Sequence, residues 1–333
     1  MSTKKIIKNK TSYSKAIYNA FDSLLKKDDD VFVIGQGVWS PWYVGNTMNG
    51  LESKYGKDRI IDTPVSELAT TGAAIGASLN GKKPIVVHPR MDFMLYAMDP
   101  IVNQAAKWNY MFAGKSNCNV TIRSIINRGN EQGAQHSQAL HAWFMHIPGL
   151  RVVMPYTPSD AKNLLEASVN CPDPVIYIDD KWLYSDEDYI QNTKLKLDSL
   201  EPQLLKKGNN LTIVSAGYST KIAVELENKL KKRKISCDVI DLRVLTNIKI
   251  NKIIRSIKKT NRLLTIDHGW GPCGLSSEVL SLIFEKIDLK NLKSNPKRIT
   301  LPFAPAPTSN SLEKKYYFDS NSVEKEVLKH FKF

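Results

Sequence analysis

The chain has 333 residues, of which 42% are hydrophobic and 24% charged, with a net charge of +14. This composition is typical of a folded protein and excludes intrinsic disorder, and the length predicts two domains. The longest apolar runs are far shorter than the ~20 residues that cross a bilayer, no signal peptide is visible, and the four cysteines form no CxxC pair. We therefore predict a reduced, cytoplasmic protein without a transmembrane segment or disulfide framework.

The positive charge is concentrated in the second part of the chain. Residues 201–333 contain 25 Lys and Arg against 13 Asp and Glu, whereas the first 200 residues are almost balanced. Such a surface can attract nucleic acid, an anionic membrane or an acidic protein. Lysines at helical spacing are also typical of an ordinary solvated helix face, so nucleic-acid binding stays an alternative and not the leading hypothesis.

In the first half of the chain, helices alternate with short buried strands. Apolar spacing predicts a first helix over residues 14–27 and a strand over 31–34. Further strands are predicted at 84–88, 120–125, 150–155 and 175–178, and helices at 66–79, 95–111, 136–144 and 159–169, the last capped by Ser159 and Asp160. This alternation implies a parallel sheet that is covered on both faces.

The polar stretch 186–205 interrupts the alternation and is predicted to be a linker. Beyond it, strands are predicted at 211–215, 238–242 and 262–266, and helices at 221–231, 252–258 and 276–284. The predicted fold is α/β, with a parallel-sheet domain over residues 1–185 and a smaller α/β domain over residues 206–333.

Self-contained catalytic motifs are absent from the sequence. It has no phosphate-binding P-loop, HExxH or GxSxG motif, and Gly35-Gln36-Gly37 lacks the third glycine and the acidic partner of a dinucleotide site. His136, His141 and His146 recur every five residues, which turns them to different sides of a helix and argues against a shared metal ion. The residues alone therefore reveal no complete active site.

Seven segments spread along the chain form a more specific set. They are RIIDTPVSE (59–67), VNQAAK (102–107), GAQHSQALHAWF (133–144), IPGLRVVMP (147–155), VIDLRVL (239–245), TNRLL (260–264) and DHGW (267–270). Together they resemble the beta subunit of the two-chain thiamine-diphosphate-dependent 2-oxoacid dehydrogenases, the decarboxylating component of the pyruvate, branched-chain and acetoin complexes. The resemblance implies a transketolase-like pyrimidine-binding domain followed by a transketolase C-terminal domain.

The resemblance also implies a cofactor site that is divided between two chains. In this family the beta chain holds the aminopyrimidine of thiamine diphosphate, and an alpha chain binds the diphosphate through Mg²⁺ with a motif that begins GDG. This motif occurs nowhere in the sequence. We therefore expect an obligate alpha partner, which supplies the ligands of Mg²⁺, in an α2β2 heterotetramer.

Three residues match family positions at the active site. Glu67 matches the glutamate that hydrogen-bonds the pyrimidine ring and exchanges a proton with it, a role that a carboxyl group in an apolar pocket suits. Phe93 matches the aromatic residue that stacks on that ring, and His136 matches the histidine that binds the substrate carboxylate or the acyl group. The pattern alone also allows a helix cap at Ser66 and Glu67, a core phenylalanine and a structural histidine. His141 and His146 are predicted to be structural.

Two places depart from the family pattern. The strand end that usually reads Gly-Glu-Asp is Gly35-Gln36-Gly37, so Gln36 leaves a position near the cofactor neutral. His88 and Arg90 precede Phe93 where the family has other residues. They either add positive charge beside the substrate channel, which would suit a phosphorylated or sugar-nucleotide substrate, or lie on the surface of a diverged loop.

The leading hypothesis is therefore the beta subunit of an enzyme that decarboxylates a 2-oxoacid and transfers the acyl or two-carbon unit to lipoamide or another acceptor. The alternative is half of a split transketolase-like carboligase that acts on a sugar or sugar nucleotide. Because the C-terminal domain is basic, it would repel the basic subunit-binding domain of a lipoyl acyltransferase, so we expect catalysis outside such a complex.

Overall fold

The computed structural model describes the backbone of residues 6–333 and divides into two compact units. The first contains the described residues up to Asn127 together with Trp143–Leu200, and the second contains Arg128–Ala142 together with Glu201–Phe333. The segment 128–142 thus belongs to the second unit, although in the sequence it lies between elements of the first. Among the described residues, every helix is too short or too polar to cross a bilayer.

The first unit is built around the predicted parallel sheet, which has six strands. The strands of the first unit are β1 (Ile6–Ser12), β2 (Val31–Gln36), β3 (Ile60–Thr63), β4 (Lys83–His88), β5 (Thr121–Ile126), β6 (Arg151–Val153), β7 (Val175–Asp180) and β8 (Glu187–Gln191). Strands β1 and β8 form a small antiparallel pair that is separate from the parallel sheet. The parallel sheet has the order β3-β2-β4-β5-β7-β6. The central strands are apolar and buried, as expected of a sheet covered on both faces.

Helices precede or follow most of these strands. They are α1 (Tyr13–Lys27), α2 (Pro41–Val44), α3 (Leu51–Tyr55), α4 (Glu67–Leu79), α5 (Ala106–Met111), α6 (His141–Met145) and α7 (Pro158–Val169). Helix α1 begins after Ser12, whose side chain accepts a hydrogen bond from the Lys15 amide at 3.2 Å. Helix α7 is capped by Thr157 and not by the predicted Ser159 and Asp160, because Pro158 already takes the first helical position.

Two predicted helices are interrupted in the structure. The prediction of one helix over 95–111 is wrong, because the chain forms a 3₁₀ turn (Phe93–Ala97), a π-helical segment (Pro100–Ala105) and α5 in succession. The predicted helix over 136–144 begins only at His141, since the Ser137 backbone is not helical. The polar stretch 186–205 contains β8 and the start of the next strand.

The second unit has a five-stranded mixed sheet with helices packed on it. Its elements are β9 (Gln203–Lys206), β10 (Leu211–Ser215), α8 (Tyr218–Lys232), β11 (Cys237–Asp241), α9 (Asn251–Thr260), β12 (Leu263–Trp270), α10 (Leu275–Phe284), β13 (Lys297–Leu301), α11 (Asn310–Tyr316) and α12 (Ser320–Phe331). The strand order is β13-β12-β10-β11-β9, and only β9 runs antiparallel to its neighbour. Apolar residues of α8 and α12 pack on the sheet and form the core.

A buried ion pair joins two central strands of the first unit. The Arg123 guanidinium on β5 donates to both carboxylate oxygens of Asp179 on β7, at 3.0 and 2.8 Å, and both side chains are fully buried. Its remaining hydrogen bonds go to Thr47 (3.0 Å) and Tyr184 (2.9 Å), and the Tyr184 hydroxyl also donates to Asp179. Burial lowers the pKa of Arg123, but the Asp179 carboxylate more than offsets it, so the pKa lies above its usual value.

We predict that Asp179→Asn lowers the free energy of unfolding by about 3–5 kcal/mol, because it leaves the Arg123 charge buried without its counter-ion. The matched control is Asp30→Asn, which removes the carboxylate from an exposed pair with Lys82 (2.8 Å) and should cost less than about 1 kcal/mol. Chemical denaturation of the three proteins measures the difference. Equal effects of both substitutions would contradict a central role for the buried pair.

Candidate active site

The carboxyl ends of β2 and β4 and the start of α4 form one corner of the first unit. Gly35 of β2 pairs with Val87 of β4 on one side and with Asp62 of β3 on the other. A Cβ atom on Gly35 would lie 2.3 Å from the Val87 carbonyl oxygen, so only glycine fits this close approach. The close contact brings the ends of β2 and β4 together at the same edge of the sheet.

A small pocket at this edge brings three of the four predicted site residues together. Gln36, Glu67 and Phe93 line it, and His88 and Thr70 are also part of its wall. Gln36 lies at the end of β2, and Glu67 and Thr70 lie in the first turn of α4. His88 ends β4, and Phe93 begins the turn that follows it. The pocket therefore combines a carboxylate, an aromatic ring and an amide, although these residues lie far apart in the sequence.

Glu67 is the first residue of α4 and is half-buried. Within the described part of the chain, its carboxylate accepts no hydrogen bond, and the Ser66 side chain does not cap the helix. Of the alternative in which Ser66 and Glu67 cap the helix, the side-chain hydrogen bond of Ser66 is missing, whereas Glu67 does lie in the first turn. The positive end of the helix dipole favours the negative charge of Glu67 at this position. The carboxylate is thus free to bind a group outside this chain.

Gln36 and Phe93 are held by their backbones. The half-buried Phe93 begins a 3₁₀ turn in which its amide donates to the Arg90 carbonyl oxygen at 3.2 Å. The turn after Gln36 is held by Asp62, whose carboxylate accepts hydrogen bonds from the Gly37 amide (2.7 Å) and the Trp39 amide (3.4 Å). Asp62 was not singled out in the sequence, although it belongs to the RIIDTPVSE segment.

His88 does not lie on the surface. It is 3% exposed, and its Nε2 atom lies 3.2 Å from the Thr71 hydroxyl on α4. Burial lowers the pKa of His88 from 6.5 to about 4, so the ring is neutral at neutral pH. Both expectations for His88, an added positive charge and a surface loop, are therefore wrong. Arg90 is half-buried and donates to the Asn127 carbonyl oxygen at 3.0 Å.

His136, the fourth predicted residue, lies in the second unit. It is half-buried at the end of a 3₁₀ turn (Ala134–His136), and its amide lies 3.4 Å from the Gly133 carbonyl oxygen that accepts its hydrogen bond. Gly133 has a φ of +73°, and a Cβ there would lie 2.6 Å from the Thr308 hydroxyl. The glycine therefore allows the turn that presents His136.

The segment that carries His136 is attached to β12 at both of its ends. At one end, the buried Arg128 donates to the His268 carbonyl oxygen at 2.8 Å. At the other end, the buried His141 lies 3.2 Å from Asp267, which also accepts a hydrogen bond from the Gly269 amide at 2.9 Å. No pattern in the sequence links His141 to a carboxylate 126 positions away, so the sequence did not reveal this anchor.

We predict that His88→Phe makes the stability of the protein less sensitive to acid. The unfolded chain protonates His88 near pH 6.5 and the folded chain only near pH 4, so stability falls as the pH drops through this range, by about 3 kcal/mol in total. The thermal midpoint measured between pH 7 and 4 should fall less steeply in the variant. His268, whose pKa is also lowered by burial, keeps part of the slope. Identical slopes in the two proteins would contradict this assignment.

We predict that His141→Ala loosens the segment 128–142, because it removes a buried imidazole that packs 3.2 Å from the Asp267 carboxylate on β12, at a cost of about 1–3 kcal/mol. Amide hydrogen exchange of this segment should become faster. The matched control is His146→Ala, which removes an exposed imidazole nearby in the sequence and should leave the exchange unchanged. If His141→Ala also leaves the hydrogen exchange of this segment unchanged, His141 does not hold the segment on β12.

Comparison with known proteins identifies both units of the fold. Residues 9–185 match the family described as transketolase, pyrimidine binding domain, and residues 201–323 match the transketolase C-terminal domain. A split-gene transketolase, solved as an inactive beta4 tetramer, shares the fold, with a TM-score of 0.77 and 19% identity over 96% of this chain and 98% of that one. The predicted α/β fold is confirmed.

Curated relatives cover most of the chain. The beta subunit of the pyruvate dehydrogenase E1 component of Rickettsia felis is 34% identical over 87% of this chain and 90% of its own length. The mitochondrial counterpart of Saccharomyces cerevisiae is 32% identical, over 94% and 87%. The beta subunit of acetoin:2,6-dichlorophenolindophenol oxidoreductase of Bacillus subtilis is 34% identical, over 92% of each chain. The chain therefore belongs to the family of the beta subunits of the two-chain, thiamine-diphosphate-dependent 2-oxoacid dehydrogenases.

Proposed function

We propose that this chain is the beta half of an enzyme that decarboxylates a 2-oxoacid with thiamine diphosphate and passes the acyl unit to an acceptor. The observation that carries the proposal is the pocket in which Gln36, Glu67 and Phe93 converge. When bound, thiamine diphosphate supplies the nucleophilic carbon and takes up the electron pair that remains when carbon dioxide leaves.

The residues of the pocket suit the pyrimidine half of this cofactor. Glu67 has a carboxylate without a hydrogen-bond partner among the described residues, and it can accept from a ring or exchange a proton with it. The half-buried ring of Phe93 offers an apolar face for stacking. Gln36 contributes an uncharged amide where the family usually has a carboxylate. His136 does not line this pocket, but its imidazole has the hydrogen-bonding capacity to bind a substrate carboxylate.

An alpha subunit completes the enzyme. Among the described residues, no group of three or more His, Cys, Asp or Glu side chains could hold a metal ion, so we assign the ligands of Mg²⁺ to the partner. Two apolar residues next to Glu67 in the sequence, Val65 and Leu68, are 68% and 55% exposed. We propose that the alpha subunit covers them in an α2β2 heterotetramer and removes the pocket from water.

The charge of the second unit bears on whether the enzyme docks to a lipoyl acyltransferase. Residues 201–333 have an excess of 12 basic over acidic residues, which opposes the docking of a basic subunit-binding domain. We therefore propose catalysis outside a lipoyl acyltransferase complex. The four cysteines are free thiols, which suits the reducing environment of the cytoplasm, where we propose that the enzyme acts.

We predict that Glu67→Gln slows exchange of the C2 proton of thiamine diphosphate by about 10²–10⁴-fold in the assembled enzyme, because an amide cannot exchange a proton with the pyrimidine ring. The exchange is followed by NMR after dilution into deuterated water, and calorimetric titration of thiamine diphosphate with Mg²⁺ shows that the variant still binds the cofactor. The matched control is Glu187→Gln, which removes an exposed carboxylate on β8.

Unchanged exchange in Glu67→Gln would show that Glu67 is not the proton-exchanging group. Failure of thiamine diphosphate to bind to the chain assembled with its alpha subunit would contradict the proposed function as a whole.

A further inference from the structure

A second cleft lies within the first unit, at the opposite edge of the parallel sheet from the candidate active site. It has a volume of about 750 Å³ and is bounded by the last turns of α1 and α7 and by residues 193–198. Helix α1 leads into the start of β2, and Cys171 and Pro172 lead into the start of β7. The cleft therefore faces the amino ends of these strands, whereas Gln36 and His88 lie at carboxyl ends. This volume falls in the range of small-molecule binding sites.

The wall of the cleft has an apolar part. Leu24 on α1, Ala167 on α7 and Leu197 in the covering segment line it, and each is 7% or 8% exposed. The thiol of Cys171 is also buried there, and burial raises its pKa to about 11, so it remains protonated and adds no charge. An apolar body of a ligand can therefore be removed from water against these side chains.

The carboxylates of the cleft are already paired with cations. Asp28 pairs with Lys83 (2.7 Å), Glu166 with Lys162 (2.8 Å) and Asp198 with Arg151 (2.7 Å), which also pairs with Asp173 (2.9 Å). All three of these cations belong to residues outside the wall of the cleft. Because Arg151 is shared by two carboxylates, the acidic residues leave about one negative charge uncompensated at the cleft.

The lysines of the cleft are not neutralised in this way. Lys194 and Lys196 form no ion pair with any residue that the structure describes, and the Lys27 ammonium donates only to the Ser23 hydroxyl, at 2.7 Å. The carboxyl ends of α1 and α7 each contribute about half a negative charge. Three ammonium groups without a carboxylate partner exceed this contribution and the charge left over at Asp173 and Asp198 together, so the cleft has a net positive charge beside an apolar wall.

We propose that this cleft binds an organic anion with an apolar body, that is, a carboxylate or phosphate ester with an aliphatic or aromatic group. Its apolar body contacts Leu24, Ala167 and Leu197, and its anionic group lies near Lys194 and Lys196. The proposal is independent of the function proposed for the other edge of the sheet.

Isothermal titration calorimetry of the full-length chain tests this proposal with octyl phosphate below its micelle-forming concentration. We expect saturable binding of one molecule per chain. Inorganic phosphate, which lacks the apolar body, and octyltrimethylammonium, which has the same body and the opposite charge, should both bind more weakly. Equal affinities for octyl phosphate and octyltrimethylammonium, or no saturable binding of octyl phosphate, would overturn the proposal.

A pair of matched double variants locates the site. Lys194→Gln with Lys196→Gln should weaken octyl phosphate binding about three- to tenfold. Lys231→Gln with Lys232→Gln removes the same charge from the exposed end of α8 and should leave the affinity unchanged. All four positions are exposed, so both proteins should fold, and their thermal midpoints verify this. Equal weakening by both variants would show that binding follows only the overall charge and would overturn the proposal.

Discussion

The buried pair of Arg123 and Asp179 is the interaction on which the first unit depends most. Moving two charges out of water costs several kcal/mol each, and this cost is offset only because the pair is bidentate and Thr47 and Tyr184 complete its hydrogen bonds. The pair fixes β5 against β7 in the middle of the sheet. Ser124, the next residue of β5, is opposite His88 at the end of β4, so the pair also supports the strand end that lines the candidate active site.

The candidate active site has two features that fit the proposed alpha partner. Glu67 has a carboxylate that no described residue of its own chain binds, and the apolar side chains of Val65 and Leu68 near it in the sequence are exposed. Exposed apolar side chains are costly in water, and a partner that covers them would remove this cost. We propose that this surface and the absence of a GDG motif reflect one division of the cofactor site between two chains.

The segment 128–142, which carries His136, is held in place although it has little regular secondary structure. The segment 128–142 has no regular element longer than one turn before α6, and yet Arg128 and His141 attach its two ends to β12. A histidine on such a segment can be held in one position without a helix of its own. The second unit therefore provides the support of His136.

Much of this protein was determined by the sequence itself. Short apolar runs such as residues 31–34 and 211–215 are typical of buried strands, and the apolar spacing over residues 14–27 is typical of a helix. Both patterns are local, so the α/β fold and most element positions could be predicted from the sequence. Glu67, Phe93 and Gln36 could be named because they match positions of the family pattern, and the structure brings all three to the wall of one pocket, while their roles stay predictions.

Other features were decided only by tertiary contacts. Burial makes His88 neutral, and the ion pairs of Asp28, Glu166 and Asp198 leave the lysines of the second cleft unbalanced. The partner of His141 lies 126 residues away, on a strand of the second unit. A local pattern specifies which residues are apolar or charged, but the desolvation and pairing that set their chemistry depend on neighbours that only the folded chain supplies.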